Sequence, residues 1–97
     1  MLTEDEKRTA HEAARILMSP LFQKVFEQLD ARYVENWRGA KTAEERERCW
    51  QRQAALADVQ RELLGMVNDA NCKAGGKDEG IKSALERAKR SFSWRKK

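Results

Sequence analysis

Thr42 to Asn71, TAEERERCWQRQAALADVQRELLGMVNDAN, is the stretch whose reading decides the fold. It contains no Pro, and its single Gly, Gly65, sits late. Thr42 with Glu45 three residues on has the form of a capping box: the Thr hydroxyl takes the Glu45 amide and the Glu carboxylate reaches back to the Thr42 amide. Behind that start, Cys49, Leu56, Leu63 and Ala70 recur every seven residues. Val59 and Met66 fall three residues after Leu56 and Leu63, and Trp50, Leu64 and Val67 widen the stripe. This period belongs to one helix face and not to a strand. A helix of roughly 30 residues is about 45 Å long. The rest of the chain has to cover its apolar stripe.

Working outward towards the N-terminus, Gly39 and Lys41 mark a helix stop, with Gly39 expected in the left-handed cap conformation. Upstream of it lies a second helix, Pro20 to about Arg38. Phe22, Phe26, Leu29, Tyr33 and Trp37 step along one face in fours and threes, flanked by Leu21 and Val25. Large aromatics dominate this stripe, and each can bury on the order of 150–250 Å². Ser19-Pro20 separates it from a first helix, Met1 to Ser19. Proline disfavours helix in the residue before it, yet suits the first helical position with Ser19 as N-cap. Thr3 and Glu6 repeat the capping-box spacing, and Ala10, Ala13, Ala14, Leu17 and Leu21 supply a face of small contacts. The short connection before Thr42 predicts antiparallel neighbours. The expected all-α architecture is an antiparallel helical hairpin over residues 1–74, one arm broken at Pro20, with Phe26, Leu29 and Tyr33 against Leu56, Val59 and Leu63.

Towards the C-terminus, residues 71–80 include Gly75, Gly76 and Gly80 and are expected to form a flexible linker. Beyond it, Ile81, Ala84, Leu85, Ala88 and Phe92 share a face of a short basic amphipathic helix that ends in Trp94 and Arg95-Lys96-Lys97. Residues 75–97 are therefore expected as a linker and tail that move independently of the hairpin. Charge supports that division. The chain carries +4 overall; residues 77–97 hold eight Lys/Arg against three Asp/Glu, and the preceding part holds twelve against thirteen. A nearly neutral body with a basic tail points to an acidic partner, nucleic acid or protein.

Nothing in the chain spells catalysis. His11 is the only histidine, and no Ser or Cys has a base and an orienting group at a recognisable spacing. Glu44, Glu45 and Glu47 interleave with Arg46, Arg48 and Arg52 as a solvated helix face with ion pairs. Two cysteines and one histidine, widely separated, do not make a zinc set. Gly75-Gly76-Lys77 lacks the spacing of a phosphate loop. The expectation is a protein that is not an enzyme, with no cofactor and no metal. Cys49 and Cys72 lie roughly 35 Å apart along one helix, too far for a disulfide. Unbridged cysteines without a signal sequence point to a reducing, intracellular compartment. No apolar run is long enough to span a membrane.

A thin core in a small domain favours self-association or docking. Phe22, Phe26, Tyr33, Trp37 and Trp50 are the candidate protein-interface residues, because aromatics exceed what a partner stripe with Ala54, Ala57 and Gly65 covers, and Trp and Tyr are favoured anchors. Packing within the hairpin is the competing use of the same side chains. In the tail, Lys82, Lys89, Arg90, Phe92, Trp94, Arg95, Lys96 and Lys97 are the candidate contacts, for phosphates with base stacking or for a groove on a protein.

Ser19-Pro20-Leu21-Phe22, Phe26, Leu29, Tyr33, Trp37, Glu45-Arg46-Glu47-Arg48, Trp50 and Leu56 resemble short all-helical proteins that tailed bacteriophages encode among their head and packaging genes. The resemblance covers roughly residues 10–70. It implies an accessory role in virion assembly, with the protein in the cytoplasm of a bacterial host or within the virion. The first expectation is a non-enzymatic protein that self-associates, as a dimer or higher assembly, or docks on a phage structural protein. The alternatives are a small nucleic-acid-binding protein acting through its tail and an inhibitor of a host enzyme.

Overall fold

The computed structural model describes residues 2–92, with side chains up to Arg90. It is all-α: α1 (Glu4–Met18), α2 (Pro20–Gly39), α3 (Ala43–Lys73) and α4 (Glu79–Phe92). Each helix start has a local chemical cause. The Glu6 amide donates to Thr3 Oγ1 at 3.1 Å, and the Thr3 amide donates to Glu6 Oε1 at 2.8 Å, so the capping box of α1 is complete. The Phe22 amide donates to Ser19 Oγ at 3.3 Å, and Pro20 takes the first turn of α2. At α3 the box is only half formed. The Glu45 amide donates to Thr42 Oγ1 at 3.1 Å, but the Glu45 carboxylate takes the Lys41 amide, at 2.8 Å, and not the Thr42 amide.

The two helices before the turn and the long one after it pair in descending register. Glu6 meets Lys73, Ala10 meets Ala70, Leu17 and Phe22 meet the region of Val67 and Leu63, and Gln53 donates to Asp30 at 3.3 Å. So α3 runs antiparallel to α1 and then to α2, and Pro20 divides the arm without taking the chain off α3. Gln23 bridges the division by donating to the Leu17 carbonyl at 3.2 Å. The turn between α2 and α3 differs from expectation. Gly39 ends α2 in helical conformation, and Ala40 is the cap, in extended backbone that any residue adopts.

The larger correction concerns α4. Ile81, Ala84, Leu85 and Ala88 do share a face, but that face is buried within the same core as the hairpin, with Ile81 at 0% exposure. Ala84, Leu85 and Ala88 pack with Ala13, Ala14, Leu17 and Val67, and Ile81 packs with Ala10 and Ala70. The chain therefore does not divide at residue 74. The segment expected to be a flexible linker is a tight turn. Gly75 and Gly76 take φ of 67° and 72°, the Gly76 amide donates to the Asn71 carbonyl at 2.9 Å, and α3 ends on this glycine cap. Asp78 then caps α4, its Oδ1 accepting from the Ile81 amide at 3.1 Å, and Lys7 of α1 stands 3.8 Å from the Asp78 carboxylate. Burying this apolar face stabilises more than leaving it in water, so the short turn folds α4 back alongside α1.

The result is asymmetric along its length. Near the ends of α3 and α1 the cross-section has three helices, α1, α3 and α4. Near the turn at residues 40–42 it has two, α2 and the first half of α3. The body measures 52 × 22 × 22 Å, and its radius of gyration of 16.1 Å exceeds the ~12.5 Å of a compact chain of this length.

Two predictions follow from the three-helix end. Ile81→Ala should cost about 2–5 kcal/mol in urea melts, as expected of a fully buried aliphatic side chain; a loss below about half a kcal/mol, typical of surface positions, would mean that α4 is not core. The Glu6–Lys73 ion pair ties the first turn of α1 to the last turn of α3. The hydrogen bond from Lys73, and then that from the Thr3 amide, hold the Glu6 carboxyl at about 2, below its ordinary 4.5; the same bond raises Lys73. A carboxyl depressed on folding contributes stability above its unfolded value and loses it as the pH falls through the folded one. The advantage of the wild type over Glu6→Gln should thus be complete near neutrality and fade between about 4.5 and 2. An advantage that persists below that window would contradict the pairing.

Candidate docking surfaces

The five aromatics expected at an interface differ in exposure. Phe26 is buried and Phe22 half-buried. Their ring centroids are 4.6 Å apart with planes tilted by 48°, and Phe22 packs on the main core cluster. As interface candidates these two are corrected: packing on α3 occupies the faces a partner would need. Tyr33 is half-buried. Trp37 and Trp50 are 46% and 60% exposed, and they line one groove near the turn with Ala43, Arg46 and Glu47.

Helical spacing places the remaining exposed apolar residues on the opposite side of the hairpin. Trp50, Ala57 and Leu64 follow each other at seven-residue steps, and Leu64 packs on the cluster that contains α4. The tryptophan groove and α4 therefore share a side of α3. Arg52, Val59 and Met66 form a second seven-residue line. Arg52 borders a groove with Arg48 and Glu45 of α3 and with Asn36 and Gly39 of α2. Asn36 is eleven positions, three full turns, beyond Val25. Met66 borders a groove with Asp5 and Thr9 of α1, and Ile16 follows Thr9 by seven. Neither groove includes a residue of α4. Ile16, Leu21, Val25, Val59 and Met66 are thus exposed together on the side that α4 leaves open, Leu21 at 70% and Val59 at 47%.

Val59 is a correction as well. It was expected against α2, but α3 presents two apolar lines to a single neighbour, and α2 covers the ridge between them. The warning was in the sequence: Leu56, Val59, Leu63 and Met66 on one flank, with Trp50, Ala57 and Leu64 on the other, make a stripe too wide for one helix to cover. Ile16 carried no such signal, since it stands as a single apolar residue outside the alanine face of α1.

The basic candidates Lys82, Lys89 and Arg90 are exposed on α4. The side chain of Phe92, and Trp94, Arg95, Lys96 and Lys97, lie outside the described residues. His11 is exposed on α1, close to Gly80 at the start of α4. Cys49 is buried and Cys72 exposed, both as free thiols. Among the described residues no group of three or more His, Cys, Asp or Glu is placed to hold a metal, and no helix is long and apolar enough to cross a membrane. Comparison of the chain with protein-family models, with curated proteins and with solved structures gives no match.

The division between internal and outward aromatics has a direct test. Phe26→Ala should destabilise by about 3–5 kcal/mol, and Trp50→Ala by no more than about half a kcal/mol, in chemical denaturation of the monomer. Similar losses at both positions would contradict it.

Proposed function

We propose that this chain is a non-enzymatic interaction protein of virion assembly, which self-associates or docks on a structural protein of a tailed phage through its helical faces. The observation that carries the interaction reading is the pair of surfaces just described. Among the described residues seven large apolar side chains are exposed, and they gather on two sides of a rod. Exposed apolar groups that cluster, unlike scattered ones, mark contact surfaces. The tryptophan groove has the make-up of an interface anchor, with two large amphipathic rings, an arginine and a carboxylate at its rim. The phage setting rests on the sequence resemblance over residues 10–70.

The second reading, nucleic-acid binding, is favoured by one feature. Lys82, Arg87, Lys89 and Arg90 stand exposed along α4, against Glu79 and Glu86. Because α4 is fixed to the body, this reading takes the form of a rigid basic face and not a tethered helix.

The test uses the full chain against purified head, portal and scaffold proteins of a tailed phage and against duplex DNA, at two salt concentrations. The assembly reading expects binding to a structural protein that is weakened about thirtyfold or more by Trp37→Ala with Trp50→Ala, the scale of an anchor worth about 2 kcal/mol. Binding to DNA alone, falling steeply with salt as counterions are released, would replace it with the second reading.

A further inference from the structure

We infer that the open apolar side of the hairpin is the seat of a second copy of this chain, packed antiparallel about a two-fold axis that passes near Val59. This rests on the interaction reading above and names the occupant of one of its two surfaces.

The first argument is area. A compact monomer of 11.3 kDa exposes about 5,700 Å², whereas this chain exposes 6880 Å². The surplus of roughly 1,100 Å² exceeds the ~800 Å² that each partner contributes to a standard stable interface. The two-helix part of the rod shields little. Of the twenty residues of α2 only Phe26 is buried. About such an axis the two arms overlap only around Val59, where they make a four-helix cross-section in which Leu21, Val25 and Val59 become internal, together with the half-buried Leu29, Leu56 and Leu63 beneath them.

The second argument is charge, and it selects both the partner and its direction. The arm, residues 20–60, holds seven Lys/Arg and seven Asp/Glu, so two arms do not repel, and neither offers the net charge that a nucleic acid would select. Along the open side the charges are separated. The groove towards the turn is lined by Arg48 and Arg52 with Glu45, an excess of positive charge. The groove at the other end is lined by Asp5, Glu6 and Asp69 with Lys73, an excess of negative charge. Arg52 and Asp69 are seventeen residues apart on α3, about 26 Å along its axis, and Val59 and Met66 lie between them. A parallel pairing would set like charges together. An antiparallel two-fold pairing sets each arginine groove against the other copy's acidic groove and lays the two apolar stripes on each other. Such an interface is isologous and closed, and it ends at the dimer.

Sedimentation equilibrium of the full chain at micromolar concentration should return twice 11.3 kDa. Val59→Glu, at an exposed position, should weaken the dimer at least about tenfold while the circular dichroism spectrum and melt stay those of a folded helical protein. Arg52→Glu should weaken it as well, and Asp69→Arg added to Arg52→Glu should restore it. Trp50→Glu, on the other side, should leave the mass unchanged. A wild-type monomer at every concentration overturns the inference but leaves docking on a structural protein to its own test. A dimer lost in Trp50→Glu and kept in Val59→Glu overturns it too, by placing the contact on the tryptophan side. A dimer weakened by Arg52→Glu and not restored by the double reversal overturns the antiparallel arrangement.

Discussion

The structure depends on the length of one helix. α3 runs for 31 residues, and no other segment matches it: α1 and α2 must follow one another to cover its face, and α4 is half as long. A chain of this size cannot enclose such a helix on all sides, so its stripe is covered unequally. Where α4 returns, α3 contributes Val67 and Ala70 to a three-helix core and both are buried. Where α4 has ended, only α2 is left, and Val59 and Trp50 emerge on its two sides. Exposure of apolar surface is therefore placed by the topology.

The core that results is built largely from alanine. Among the described residues, Ala10, Ala13, Ala14, Ala57, Ala70, Ala84 and Ala88 make up more than half of its buried apolar positions. Small side chains let helix axes approach closely, which is how three helices fit a cross-section of 22 × 22 Å. They also bury little area each, so stability rests on few larger groups, chiefly Leu17, Phe26, Val67, Ile81 and Leu85. Gln60 adds a cost. It is 98% shielded, and its Oε1 accepts no hydrogen bond among the described residues. Asn71 Oδ1, near the C-terminal end of α3, is likewise buried without a hydrogen-bond partner among the described residues.

Much of this was legible residue by residue. Thr3 with Glu6 and Ser19 before Pro20 announce helix starts through chemistry that needs no tertiary context, and the seven-residue steps of α3 identify its face. What was not legible depended on long-range packing. Ile81, Leu85 and Ala88 form the same amphipathic pattern whether they wait for a partner or already have one. The glycine turn at 75–76 brings that face back onto α1 and α3, and its burial against Ala10, Leu17, Val67 and Ala70 decides the partner. Gly39 looked like a left-handed cap because glycine tolerates that conformation, but the chain had room to leave α2 in extended backbone at Ala40. Of the expected interface, Trp37 and Trp50 are exposed while Phe26 is buried and Phe22 half-buried, although periodicity places Phe22, Phe26 and Trp37 on one face of α2. Burial follows from where α3 lies against that face, which spacing alone does not fix.

α1, the second half of α3 and α4 form one cooperative unit, with the two-helix arm less protected beyond it. Residue-resolved amide hydrogen exchange on dilute protein measures this directly. Amides of α4 from Ile81 to Ala88 should exchange as slowly as those of α3 around Val67 and Ala70, and amides between Cys49 and Ala54 should exchange faster. Exchange of α4 at the rate of a free peptide, or uniform protection along the whole of α3, would contradict it.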